Sequence, residues 1–133
     1  MKVYIFGNLE VPQDGRALEV AQRLRGTLPG VRFVTVEPNE DLPFVDEESV
    51  VIMDTVVGIE GVSLIPDSEI EHLALPPRGT VHDFDLAFQL KYLKKIGRLG
   101  EVHIVGIPRE GDVDYPLVRS ILRKLVAQDM QGS

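Results

Sequence analysis

The chain has 133 residues, the length of one ordinary domain, and its 44% hydrophobic and 26% charged residues exclude a disordered chain. Its lack of cysteine excludes a disulfide scaffold, a thiolate zinc site, an iron–sulfur cluster and a cysteine nucleophile. Asp and Glu total 21 against 14 Lys and Arg, a net charge of −7 that argues against a nucleic-acid partner and suits a basic partner or a bound cation.

In chain order, Val3-Tyr4-Ile5-Phe6 is a continuous apolar run stopped by Gly7-Asn8, the signature of a buried strand. From Ala17, the apolar residues Leu18, Ala21, Leu24 and Leu28 keep helical spacing, with Arg16, Glu19, Gln22, Arg23 and Arg25 between them. This first helix is expected to stop near Pro29-Gly30. Val31 to Val36 is β-branched and reads as a second strand. Glu37 to Glu48 reads as a polar loop. Val50-Val51-Ile52-Met53 is a third buried strand, ended by Asp54. Val62 to Ile65 fits a short extended piece, and Asp67 to Gly79, with Pro76-Pro77, a loop or edge segment. His82 to Ile96 predicts a second helix with Leu86, Leu90, Leu93 and Ile96 as its buried stripe, Lys91, Lys94 and Lys95 outside it, and Gly97 as C-cap. Val102 to Ile107 is another strand, ended by Pro108. Pro116 fits the first turn of a last helix that buries Val118, Ile121, Leu122 and Leu125 and leaves Arg119, Arg123 and Lys124 in water.

The order β-α-β-β-(short β)-α-β-α predicts an α/β domain over 1–133, with 127–133 as a frayed tail and a parallel-dominated sheet covered on both faces. No stretch approaches the roughly 20 apolar residues that span a bilayer. The run from Met1 to Gly7 is too short for a signal peptide. A cytoplasmic protein with no membrane partner is therefore expected.

Parallel sheets bind ligands at the carboxyl ends of their strands, near a topological switch point. Asp14, after the first strand, Asp54, after the third, and His82, at the second helix, are the candidates there. Two carboxylates and an imidazole form an O₂N donor set suited to a divalent transition ion with open positions. Each also has a plainer role: Asp14 as a helix cap, Asp54 closing a turn, His82 as a helix-entry residue. His103 reads as a packed or edge histidine, His72 as exposed, and the acidic stretch Glu37, Glu40, Asp41, Asp46, Glu47 and Glu48 as a solvated loop. Gly7 to Pro12 is not GxGxxG, there is no P-loop, and Ser49, Ser63, Ser68 and Ser120 lie in no nucleophile elbow.

Ile5-Phe6-Gly7-Asn8 followed by Asp14-Gly15 resembles the opening signature of the [NiFe] hydrogenase maturation proteases. Val51 to Asp54 resembles that family's apolar strand ending in Asp, Thr80-Val81-His82-Asp83 its His opening a helix, and Val105-Gly106-Ile107-Pro108 its late strand. The likeness extends from about residue 2 to 127. It implies a three-layer α/β/α sandwich with a mostly parallel twisted sheet. It also implies an endopeptidase that removes the C-terminal extension of a nickel-loaded [NiFe] hydrogenase large-subunit precursor. By position, the residues that recognise the substrate's nickel are Asp14, Asp54 and His82, with Cd²⁺ or Zn²⁺ able to substitute for Ni²⁺ in vitro. Two departures stand out: Gln13 precedes Asp14 where the family often has a second acid, and Glu37-Pro38-Asn39-Glu40 replaces a Gly-rich segment tied to substrate choice. The alternative is a non-catalytic, metal-dependent binding module of the same fold.

Overall fold

The chain's apolar runs become a five-stranded sheet in the order β2-β1-β3-β5-β4. The structure is a computed structural model that describes residues 1–6, 15–36, 42–56, 58–72 and 86–131. In chain order the elements are β1 (Lys2–Ile5), α1 (Arg16–Leu24), β2 (Arg32–Thr35), β3 (Ser49–Val56), β4 (Ser63–Ile65), a 3-10 turn (Asp67–His72), α2 (Leu86–Lys95), β5 (Glu101–Pro108) and α3 (Tyr115–Gln131). β1, β2, β3 and β5 run parallel, and only the short edge strand β4 is antiparallel, along β5. The expected α/β fold with a mostly parallel sheet is what forms.

Strand side chains alternate between the two sheet faces, so each central strand feeds two cores. Val3, Ile5, Val51, Met53, Val105 and Ile107 join Ala17, Val20, Ala21 and Leu24 of α1 and Val118, Leu122 and Leu125 of α3 in one core. Tyr4, Phe6, Val50, Ile52, Val102 and Ile104 join Leu90 and Leu93 of α2, Ile70 and Phe44 in the other. The sheet is thus the middle of three layers.

Several local expectations are corrected. β3 does not end at Asp54 but continues to Val56, because its ladder with β5 runs unbroken from Ser49↔Glu101 to Val56↔Pro108. α1 ends at Leu24 rather than near Pro29, where Gly26 turns the chain at φ 80° and the Thr27 hydroxyl donates to the Leu24 carbonyl at 2.6 Å. Leu28 is still buried, from the turn beyond the helix. Asp67 to His72 is a 3-10 turn that buries Ile70, not a loop. Phe44, placed in a polar loop by the sequence, is fully buried, with its ring 5.1 Å from that of Tyr4 and 6.1 Å from that of Phe6.

α2 buries Leu90 and Leu93, but Ile96 is 46% exposed. Successive i+3 steps each lag by roughly 60° on a helix of 3.6 residues per turn, so two such steps carry Ile96 off the Leu90 face. Gly97 closes α2 as expected, at φ 76°, with its N–H donating to Lys94 and the Arg98 N–H to Leu93 in a Schellman turn. Part of the predicted second helix, 82–85, lies outside the described residues, as do 37–41 and 73–81. In α3 the Asp114 carboxylate caps the helix by accepting the Leu117 N–H at 3.0 Å. Pro116 sits in the first turn, Arg119 is half-buried rather than wet, and the helix continues to Gln131 through most of the tail expected to fray.

Candidate functional site

In this topology β1 lies between β2 and β3, so the chain leaves β1 toward one side of the sheet and later returns on the other. The crevice at the carboxyl ends of β1 and β3 is the switch point where such sheets bind ligands. The last β1–β3 pair is Ile5↔Met53, and the Phe6 N–H donates to the Met53 carbonyl at 3.2 Å. Asp54 is the next residue of β3, half-buried, at the mouth of that crevice.

Strand alternation puts Asp54 on the same face as Ile52, the face covered by α2. Its Oδ1 accepts the Thr55 N–H at 2.9 Å. It therefore makes a local turn-like bond, as its plainer reading expected, but from within a strand. Thr55 takes the other face, where its Oγ1 accepts the Ala17 N–H at 3.3 Å and holds the first turn of α1 against β3. The Arg16 guanidinium donates to the Gly111 carbonyl in the segment after β5. Thus the end of β3, the start of α1 and the turn after β5 are tied together at one edge. Sequence reasoning passed over Thr55 and Arg16. Their signal was positional: a hydroxyl beside the strand-end acid and a cation at the first helical residue.

Of the three candidate residues, only Asp54 is placed. Asp14 and His82 lie outside the described residues, as do Gln13 and Glu37 to Glu40. The chain resumes after Asp14 at Gly15, the N-cap of α1, on the edge just described. On the other face, α2 ends at the opposite edge, where the Lys94 ammonium donates to the carbonyl of Gly100 at 2.7 Å just before β5 begins. Leu90 is buried in the same core as Ile52 and Ile104. The start of α2, at Leu86, is thereby directed back toward the edge that carries Asp54.

Polar clamps hold the α2 face at the opposite, amino-terminal edge of the sheet. Asp67 ion-pairs with Lys94 and accepts the Val102 N–H at 2.8 Å. Burial pushes its carboxyl upward, but the Lys94 bond, the Val102 N–H and the charges of Lys94 and His103 outweigh that and leave it below its ordinary value. Burial, with the hydrogen bond and charge of Glu47, pushes the Tyr4 phenol up to about 12. The phenol donates to both Glu47 carboxylate oxygens, at 2.9 and 3.1 Å. The hydrogen bond from Arg98, 2.7 Å away, lowers Asp46. Glu47 is therefore structural rather than merely solvated, whereas Asp46 is exposed, as expected, and ion-paired at the surface. At Gly100 a Cβ would collide with the Glu47 and Glu48 carbonyls, so only glycine lets this segment lie against the start of β5.

His72 is exposed, and His103 is largely packed, 3.5 Å from Glu101, as expected for both. A broad recess at the amino-terminal edge is lined by Lys2, Glu47, Ser49, Glu101 and His103. It lies away from the strand carboxyl ends. Among the described residues no group of three His, Asp or Glu side chains is arranged to hold a metal ion. Among them, too, no helix is long and apolar enough to cross a membrane.

The sequence matches no protein-family model and no curated protein. The fold, however, matches solved structures over nearly the whole chain. One is the hydrogenase-maturating endopeptidase HybD from E. coli, 18% identical, with a TM-score of 0.58 over 99% of this chain and 91% of that one. A second is an endopeptidase from Escherichia coli in its solution structure, 16% identical, with a TM-score of 0.60 over 96% of this chain and 89% of that one. A third is the hydrogenase 2 maturation peptidase from Thaumarchaeota archaeon SCGC_AB-539-E09, 26% identical, with a TM-score of 0.50 over 98% of each chain. The likeness to hydrogenase maturation proteases read from the sequence therefore extends to the fold.

Proposed function

We propose that this chain is an endopeptidase of [NiFe] hydrogenase maturation. It removes the C-terminal extension of the nickel-loaded large-subunit precursor and recognises the precursor's nickel through Asp14, Asp54 and His82. The observation that carries this reading is the position of Asp54: a carboxylate at the carboxyl end of a central strand, beside the switch point, on the fold of the maturation peptidases.

The chemistry follows from the donor set. Carboxylate oxygen and imidazole nitrogen are good ligands for a borderline divalent ion and leave positions open for the substrate's own groups. This chain has no cysteine, so any thiolate on the nickel belongs to the precursor. The nickel arrives as part of the substrate, and completing its coordination tests whether metal insertion has occurred. Once held, the ion can orient the scissile peptide and polarise its carbonyl.

The test is release of the C-terminal fragment, followed by mass spectrometry, from nickel-loaded and nickel-free precursor. The wild type is expected to cut only the loaded form. Asp14→Ala, Asp54→Ala and His82→Ala are each expected to abolish cleavage and preserve the circular dichroism spectrum. Full cleavage by the triple variant overturns the assignment. Nickel-dependent association without a released fragment selects the binding-module alternative.

A further inference from the structure

A surface helix normally turns one apolar stripe inward and a polar face outward. α2 departs from that rule. Leu90 and Leu93 are buried, yet Phe88 is 56% exposed, Tyr92 53% and Ile96 46%. Each is four residues from the next, so they align as one outer stripe, roughly opposite Leu90 and about 12 Å long. Single exposed apolar residues are ordinary, but an aligned aromatic and aliphatic row marks an interaction surface.

The charges along α2 narrow the occupant. The helix LAFQLKYLKK carries three lysines and no acid in a chain whose net charge is −7. Lys94 is turned inward to Asp67 and the Gly100 carbonyl. Lys95 is exposed and flanks the outer stripe on one side, roughly 20° from Phe88 by helical geometry, and the half-buried Lys91 lies beyond it at roughly 60°. The surface is thus apolar with a basic border. A second copy of this chain would set lysine against lysine across a two-fold contact. An anionic membrane would be repelled by the rest of an acidic chain, and the stripe is short for an in-plane membrane helix.

We propose that the outer face of α2 is a docking surface for the substrate protein. It takes an apolar-faced segment of the large-subunit precursor bordered by Asp or Glu, separate from the peptide that is cut. This rests on the functional reading above and extends it. α2 leads away from the edge that holds Asp54, so a precursor seated along it is anchored beside the site. Apolar contact supplies affinity, and the lysine border supplies register and association rate.

The experiment is steady-state cleavage of purified nickel-loaded precursor at varied precursor concentration and ionic strength. Tyr92→Ser/Ile96→Ser is expected to raise KM about tenfold, with kcat within about twofold of wild type and an unchanged circular dichroism spectrum, since uniform binding is what is lost. Lys95→Glu is expected to raise KM several-fold and flatten its salt dependence, with the apolar stripe intact. Wild-type cleavage together with unchanged KM in both variants overturns the docking surface and leaves the peptidase assignment standing. A wild type that neither binds nor cuts the loaded precursor overturns the functional reading and this occupant with it. Concentration-dependent dimerisation of the wild type that Tyr92→Ser/Ile96→Ser abolishes, or binding to phosphatidylserine vesicles that it abolishes, with KM unchanged, assigns the stripe to those occupants instead.

Discussion

The two faces of the sheet are built by different means. The face under α1 and α3 is closed mainly by aliphatic packing, with Ala17, Val20, Leu24, Val118 and Leu122 against Ile5, Met53 and Val105, and one long polar tie from the Ala17 N–H to Thr55. The face under α2 adds an aromatic cluster and three polar clamps: Tyr4 to Glu47, Asp46 to Arg98, and Asp67 to Lys94 and Val102. Asp54 and the exposed stripe of α2 are on that second face. A non-directional core tolerates small shifts, whereas clamps fix a helix in register against a strand. These clamps lie at the amino-terminal edge, away from Asp54, so they set how α2 sits on the sheet rather than hold a side chain at the site.

Core truncations test this contrast most severely. Leu122→Ala, on the aliphatic face, should cost about 2–5 kcal/mol, and Phe44→Ala, on the other, about 3–5 kcal/mol, both read by urea denaturation. The faces should separate in activity among variants that remain folded: Phe44→Ala should impair precursor cleavage more than Leu122→Ala. Equal impairment at equal stability would erase the functional distinction between the faces.

The Asp67 clamp comes next. Asp67→Ala strands the Val102 N–H and unpairs Lys94, and should cost about 1–3 kcal/mol. Asp67→Asn keeps an acceptor for Val102 and should cost less. The pH dependence follows from the lowered carboxyl. The folded state holds the proton less tightly than the unfolded state, so the stabilisation is complete above the ordinary value of 3.8. It is lost as pH falls through the lowered folded value. The stability gap between wild type and Asp67→Asn should therefore narrow on acidification below about pH 4. A gap that widened would refute the clamp.

How much of this was legible in the sequence depended on what each residue's environment answers to. The strands were readable because a strand buried on both faces needs an unbroken apolar run, and Val3 to Phe6 and Val50 to Met53 supply one. Asp54 was readable as a strand-end acid, but the two further residues of β3 were not, because the ladder with β5 sustains them. Phe44 was hidden by Glu and Pro neighbours: its burial comes from Tyr4 and Phe6, distant in sequence. Ile96 was misassigned because a stripe of i+3 steps drifts around a helix, and that drift carries it to the outer row with Phe88 and Tyr92. Glu47 looked like part of a solvated run because its partner, Tyr4, is more than 40 residues away.

The Tyr4–Glu47 clamp should have a smaller effect. Tyr4→Phe removes one buried hydroxyl bonded to a carboxylate, a loss of about 1–2 kcal/mol at neutral pH. With the phenol raised to about 12 from 10.0, the folded state holds its proton more tightly than the unfolded state. This stabilisation is intact below pH 10 and declines between about pH 10 and 12. In thermal melts the wild type should lose its advantage over Tyr4→Phe across that interval. A constant difference would place the phenol outside the clamp.

The smallest effect should come from the residue nearest the proposed chemistry. Thr55 follows Asp54 directly, but strand alternation turns its side chain to the α1 face, where its hydroxyl accepts the Ala17 N–H at 3.3 Å. Thr55→Val keeps the shape and β propensity, removes that long hydrogen bond, and should cost less than about 1 kcal/mol. If the faces divide as described, it should also leave kcat and KM for the loaded precursor within about twofold of wild type, while Asp54→Asn, one residue earlier, abolishes turnover. A collapse of kcat in Thr55→Val would mean that the α1 face shares the site, and the tie from β3 to α1 would then be part of the catalytic geometry.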